Sequence, residues 1–317
     1  MKTFRLYGVR ILVALLLTLA AYNASGSSGS EAGATWTLRT SQDNSLSLRG
    51  VTYGNGLFVA VGDDLTILTS PDGANWTKRI SVRKGIPIEQ GNLNTPISPW
   101  SFFDVTYGNG TFVAVGALST TFTSPDGVHW TGTLGTRINL SSVAYGKGTF
   151  VAVGVDGTIR ISPDGVSWAQ GISIYPTFGV TYGNGTFVAV GDKGTILTSP
   201  NGVHWTERTA PTSNDLRGAG YGNGTFVVVG KGGTILTSPD GANWTARVSG
   251  TSNSLYSVAY GNGTFVVVGD KGTILTSPDG VNWTVRTSGT SNSLYSVAYG
   301  NGTFVVVGDK GTILTSP

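Results

Sequence analysis

Residues 255–294 read LYSVAYGNGTFVVVGDKGTILTSPDGVNWTVRTSGTSNSL, and this stretch decides the fold. Leu255 to Tyr260 is a short β-prone run. Gly261-Asn262-Gly263 follows as a hairpin turn, because Asn-Gly tolerates the positive φ such turns require. Thr264 to Val268 is a second strand dominated by β-branched residues, which fit a pleated sheet. Gly269-Asp270-Lys271-Gly272 is a second turn and Thr273 to Thr276 a third strand. Ser277-Pro278-Asp279-Gly280 is a third turn, with Pro fixing φ and Asp capping locally. Trp283 to Arg286 is the fourth strand, and SGTSNS leads into the next copy.

The same unit recurs along the chain. Tyr-Gly-x-Gly appears at Tyr53, Tyr107, Tyr145, Tyr182, Tyr221, Tyr260 and Tyr299, at spacings of 54, 38, 37, 39, 39 and 39. Seven copies of a four-stranded antiparallel meander near 39 residues predict an all-β, seven-bladed β-propeller over 31–317. The long first interval marks an insertion at about 81–99. The Phe of each second strand (Phe58, Phe112, Phe150, Phe187, Phe226, Phe265, Phe304) and the Trp of each fourth strand are the expected inter-blade core. The last copy stops at Ser316-Pro317, after its third strand, while residues 30–37 resemble a turn and fourth strand. The amino-terminal segment around Trp36 is therefore expected to complete the last blade and cover its open edge. Residues 250–278 and 289–317 are identical, which points to recent duplication and leaves open a longer array.

Composition narrows the class. The chain has 317 residues, 48 Gly, no Cys and 12% charged residues. Gly follows no G-X-Y period, which excludes collagen, and 10% aromatics is too many for a disordered chain. Without Cys there is no disulfide framework, thiolate metal site or cysteine nucleophile. Lys2, Arg5 and Arg10 precede the apolar run Ile11 to Ala21, with small residues at Ala20, Ala21 and Ala24. This reads as a cleaved signal peptide over 1–24, then a Gly/Ser linker over 25–30, and predicts a secreted protein with no membrane span after cleavage. Removing three of the 20 basic residues leaves 17 against 17 acidic ones. A balanced charge gives no support for nucleic-acid binding.

The box Ser-Pro-Asp-Gly-x-x-Trp occurs at Ser70–Trp76, Ser124–Trp130, Ser162–Trp168, Ser238–Trp244 and Ser277–Trp283, with Asn201 replacing Asp in Ser199–Trp205. It resembles the Asp-box (bacterial neuraminidase) repeat of sialidase-like propellers, although Asp and Trp are one residue closer than in that pattern. The string GDKGTILTSPDGVNWT (269–284) is also similar to repeats of the photosystem II stability/assembly factor family, which are secreted seven-bladed propellers. In such families the box is a folding device on the turn between strands three and four.

The residues do not assemble an enzyme. The resemblance to sialidases would require an arginine cluster, a tyrosine nucleophile with a glutamate, and an acid/base. Glycoside hydrolysis more generally needs a carboxylate pair. The only Glu are Glu31, Glu89 and Glu207, and most Asp fall at repeated turns. His129 and His204 occupy the same box position in the second and fourth copies, which are not adjacent, so no shared metal and no cofactor is expected. Function is expected where copies differ. The residue four before each Tyr-Gly-x-Gly tyrosine reads Arg49, Phe103, Ser141, Phe178, Arg217, Tyr256 and Tyr295, while its predecessor is apolar in all but one copy. These side chains are expected to rim the central channel on the face carrying turn two, as a binding site or as a plug. Arg and aromatics suit stacking, anion pairing or a protein hot spot. The insertion adds Arg83, Lys84 and Trp100 as a second candidate surface. The reading is a monomeric, non-catalytic binding module for a protein partner, with a carbohydrate-binding lectin as alternative and a sialidase-like hydrolase third.

Overall fold

The computed structural model describes residues 31–39, 45–79, 81–83, 100–133, 138–172 and 175–317. Within Ala32–Pro317 the chain forms seven antiparallel sheets, one per repeat, arranged as the blades of a propeller. Blade 1 contains Leu48–Gly54, Leu57–Gly62, Ile67–Ser70 and Thr77–Arg79, in that order from the channel outward. The inner strands of blades 2 to 7 are Phe102–Gly108, Leu140–Gly146, Thr177–Gly183, Leu216–Gly222, Leu255–Gly261 and Leu294–Gly300. The Asn-Gly hairpins take the expected left-handed pair, with Asn262 at φ 45° and Gly263 at φ 74°.

Two contacts close the ring. At the periphery, Thr37–Arg39 lies antiparallel to Ile313–Ser316, with Thr37 opposite Thr315 and Arg39 opposite Ile313. The Gly33 N–H donates to the Pro317 carbonyl at 3.1 Å, and Arg39 Nε to Thr315 Oγ1 at 2.8 Å. At the centre, the Tyr of each Tyr-Gly pair lies flat against the Gly of the preceding blade. A Cβ on Gly54 would fall 2.2 Å from Tyr107 Cγ, and one on Gly300 only 2.0 Å from Tyr53 Cγ. The last blade thus meets the first through the contact that joins every other pair.

The blade faces carry the core. All seven second-strand phenylalanines are at most 1% exposed, and each packs beside its cross-strand tyrosine where the Tyr-Gly-x-Gly unit turns back. The box works as a turn clamp. In blade 1 the amides of Ala74 and Asn75 donate to Asp72 Oδ1 at 2.9 Å, and Gly73 N–H donates to Ser70 Oγ at 2.8 Å. The donors to Asp72, the Asn75 amides foremost and then Ala74 and the Ser70 hydroxyl, hold its carboxyl well below the usual carboxylate range. The Trp76 indole N–H turns back to the Gly73 carbonyl at 2.8 Å.

Two details differ from the sequence reading. The tryptophan belongs to the turn, not the outer strand: blade 6 resumes at Thr284–Arg286, and the Trp283 indole N–H turns back to the Gly280 carbonyl. Blade 2 is the exception, where Trp130 opens the strand Trp130–Thr133 because it faces Ser81. That pairing is the second difference. Ser81–Arg83, at the start of the insertion, adds to blade 2 as a fifth strand, parallel to Trp130–Thr133. An outer strand presents unpaired N–H and C=O groups, and the chain leaving blade 1 satisfies them. The rest of the insertion, 84–99, lies outside the described residues.

Candidate functional site at the channel mouth

The rim residues owe their direction to a bulge. In every inner strand the register slips between the first and third residues, as between Leu48 and Gly50 or Leu294 and Ser296. The second residue is left out of the ladder, and a bulge re-aims its side chain. The first residue stays in the core (Leu48 is 2% exposed, Thr177 0%) while the second escapes both blade faces. Arg49, Phe103, Ser141, Phe178, Arg217, Tyr256 and Tyr295 are all half-buried and all line one cavity of about 190 Å³ in the channel.

Within it, cations and rings form a belt. The Arg49 guanidinium sits 5.4 Å over the Tyr295 ring, and Tyr295 packs at 5.5 Å against Tyr256. The Arg217 guanidinium sits 4.2 Å over Phe178. A second ring, of turn-two and strand-entry carboxylates, fixes these groups from behind. Arg49 Nε donates to Asp63 Oδ1 at 2.7 Å and Arg217 Nη2 to Asp215 Oδ2 at 3.1 Å. Lys231 Nζ also reaches Asp215, at 2.5 Å, and is the main reason that the Asp215 carboxyl is held well below its ordinary range. Tyr256 donates to Asp270 at 2.8 Å and Tyr295 to Asp309 at 2.9 Å. Burial, then the bond to Asp309, pushes the Tyr295 phenol up to about 12, and burial with Asp270 acts the same way on Tyr256. Both phenols therefore stay protonated donors. The bonds to Asp63, Asp270 and Asp309 place the belt on the face that carries turn two.

One lining residue escaped the sequence reading. Asp104 takes the third inner-strand position, where the other copies have Gly50, Ser142, Gly179, Gly218, Ser257 and Ser296. Its carboxylate accepts from Ser142 Oγ at 2.7 Å, from the Val143 N–H at 2.9 Å and from its neighbour Val105 N–H at 2.8 Å. It is partly open to the lumen, yet the surrounding blades desolvate it enough to push its carboxyl up to about 6 against those three donors. The signal was present in the sequence: one acid among Gly and Ser.

The described parts of the second candidate surface, Arg83 and Trp100, stand apart. Ser81–Arg83 forms the outermost strand of blade 2, whereas Trp100 precedes its innermost strand, Phe102–Gly108, so the two stand at opposite edges of one sheet. Trp100 is half-buried and outside the channel cavity, and Lys84 lies outside the described residues. A tyrosine–glutamate pair does exist: the Tyr175 hydroxyl donates to Glu207 at 2.9 Å. It lies by the outer strand Thr206–Arg208, away from the cavity, and the bond pushes the phenol pKa up, opposite to the activation a nucleophile needs. Among the described residues no cluster of three metal-ligating side chains occurs.

No family model matches the chain, and no curated protein matches it. Solved structures do. YCF48 from Cyanidioschyzon merolae is 18% identical over 89% of this chain and 99% of its own, with a TM-score of 0.69. A structure of YCF48 bound to D1 peptide is 19% identical over 90% of this chain and 99% of its own, also at 0.69. A catalytically inactive virginiamycin B lyase from Staphylococcus aureus, with quinupristin, is 11% identical over 89% of this chain and 98% of its own, at 0.75. At such identities the likeness carries the architecture alone: this chain shares the propeller fold with YCF48 and with a virginiamycin B lyase.

Proposed function

We propose that the protein is a secreted, monomeric, non-catalytic scaffold that docks a segment of a protein partner at the channel mouth on the turn-two face. The observation that carries this reading is the belt of Arg49, Tyr295, Tyr256, Arg217 and Phe178, a single composite site within an otherwise regular ring. Arg and Tyr dominate protein hot spots because they offer broad contact and directed donors. Here both kinds are pre-positioned by carboxylates, which lowers the ordering cost of binding. The YCF48 structure with D1 peptide is a precedent for peptide capture by a propeller of this shape.

A second reading, lectin-like, has one observation in its favour. Two open grooves of about 440 and 560 Å³ occur one repeat apart, lined by equivalent residues such as Gly233, Thr234 and Arg247 in one and Gly272, Thr273 and Arg286 in the other. Repeated hydroxyl-lined grooves suit a repeating ligand. The two readings separate in one experiment. The protein is probed on a glycan array and, in parallel, used to capture partners from the secreted fraction, with the Arg49→Ala/Arg217→Ala variant beside it. The docking reading expects a defined protein partner lost at least about tenfold by the double variant with the melting temperature kept. Glycan binding without a protein partner, or capture indifferent to both arginines, overturns it. Amino-terminal sequencing of the mature chain tests secretion and cleavage near Ala24.

A further inference from the structure

The geometry points to a specific occupant for the channel: we propose that the cavity below the belt binds a primary alkylammonium group, a lysine side chain of the docked partner, on Asp104. This rests on the docking reading and names the chemistry of its anchor.

Charge is the first argument. Arg49 pairs with Asp63, and Arg217 shares Asp215 with Lys231. Asp104 is in no ion pair among the described residues, and its three bonds come from neutral donors. A carboxylate has about four acceptor sites, so one is open toward the lumen. The cavity thus holds one acid without a cation, in a place where an added positive charge is poorly screened by water.

Size is the second. The cavity measures about 190 Å³. That is below the ~300 Å³ at which pockets for drug-sized ligands begin, and suits a single side chain. A lysine stem would pass through the aromatic collar formed by Phe103, Phe178, Tyr256 and Tyr295 with its charge leading.

Hydrogen-bonding capacity is the third. At the depth of Asp104 the wall bears Ser257 and Ser296. Their hydroxyls accept from the Val297 and Val51 amides of the next blades, at 3.3 and 3.2 Å, which ties each oxygen to the wall and leaves it a second lone pair. An ammonium has three donors and finds a carboxylate and hydroxyl oxygens on one short stretch of channel. A carboxylate guest would meet Asp104 and be repelled.

The test uses the whole mature protein and needs no partner. N-acetyl-lysine methylamide and its norleucine counterpart are titrated while the Val105 and Val143 amides, both donors to Asp104, are followed by NMR. The lysine compound is expected to give saturable shifts at both amides at millimolar concentration, and the norleucine compound none. Asp104→Asn, and Asp104→Ser as the residue of other copies, should weaken binding at least about tenfold with the fold intact, as expected for losing a charge-assisted bond. Equal binding by either variant, equal shifts from norleucine, or no saturable shift with lysine overturns the proposal. Loss of partner capture in the arginine variant with lysine binding intact would speak to the docking surface alone; the reverse outcome would sink only this anchor.

Discussion

Asp104 shows how much one residue can depart from its repeat. Its carboxyl titrates near 6 in the fold against 3.8 for an ordinary one, because burial outweighs three donors. A folded-state pKa raised above the unfolded value means that the native state holds its proton more tightly. The associated stability is present below pH 4 and is lost as pH rises through 6. Arg49, Tyr256 and Tyr295 share the cavity and are all held above their ordinary values, so they keep their protons across this window. Asp104→Asn keeps the acceptor for the Val143 amide and removes the charge. In urea melts it is expected to gain on the order of 2 kcal/mol over the wild type at pH 7.5 and little at pH 4. A uniform gain or loss across that range would show that desolvation of the charge is not the cause. The seven rim positions were legible because a bulged residue belongs to no core face and so drifts between Arg, Ser and aromatics. The rim carboxylates were harder to see: Asp63 and Arg49 meet only after the hairpin folds back 14 residues.

The inner strand is the element that makes a ring possible. Its last two residues, Tyr and Gly, form the contact between blades: the ring of one needs the missing side chain of the other. Gly300 has no backbone conformation that demands glycine, so its requirement comes from the Tyr53 ring alone. Gly300→Ala is expected to cost about 1–3 kcal/mol through overpacking. In a Tyr53→Ala background the same change should cost nearly nothing, a coupling that a double-mutant cycle in chemical denaturation measures. Additive costs would mean that blades 7 and 1 do not meet as described. The strand pattern of each blade could be read from turn chemistry and β-branched runs. The fifth strand of blade 2 could not, since Ser81–Arg83 follows Thr77–Arg79 without a Gly or Pro turn, and parallel addition at an edge leaves no periodicity.

At the scale of the molecule, everything depends on the closure of seven blades whose two ends are the first and last described parts of the sheet system. Thr37–Arg39 contributes only three residues to blade 7, yet it covers the edge of Ile313–Ser316 and brings residues separated by most of the chain into register. The sequence revealed this through a likeness between residues 30–37 and the other box turns, and the geometry extends it: a Cβ on Gly33 would meet Val266 and Thr276 of blade 6, as one on Gly73 meets Val305 and Thr315 of blade 7. The amino-terminal turn therefore packs on its neighbour as every box does. The absence of Cys makes a direct test clean. Thr37 faces Thr315, and both are small enough to become Cys with little change of volume. A Thr37→Cys/Thr315→Cys variant should form one intramolecular disulfide on oxidation. Because the bond would close a loop of nearly the whole propeller, the chain-entropy limit is about 5.6 kcal/mol, and native strain brings the expected gain to about 2–4 kcal/mol. The gain should vanish on reduction and be read as a rise in melting temperature of the oxidised form alone. Free thiols after oxidation, or disulfide-linked dimers in place of monomers, would show the clasp undocked or exchanged between chains.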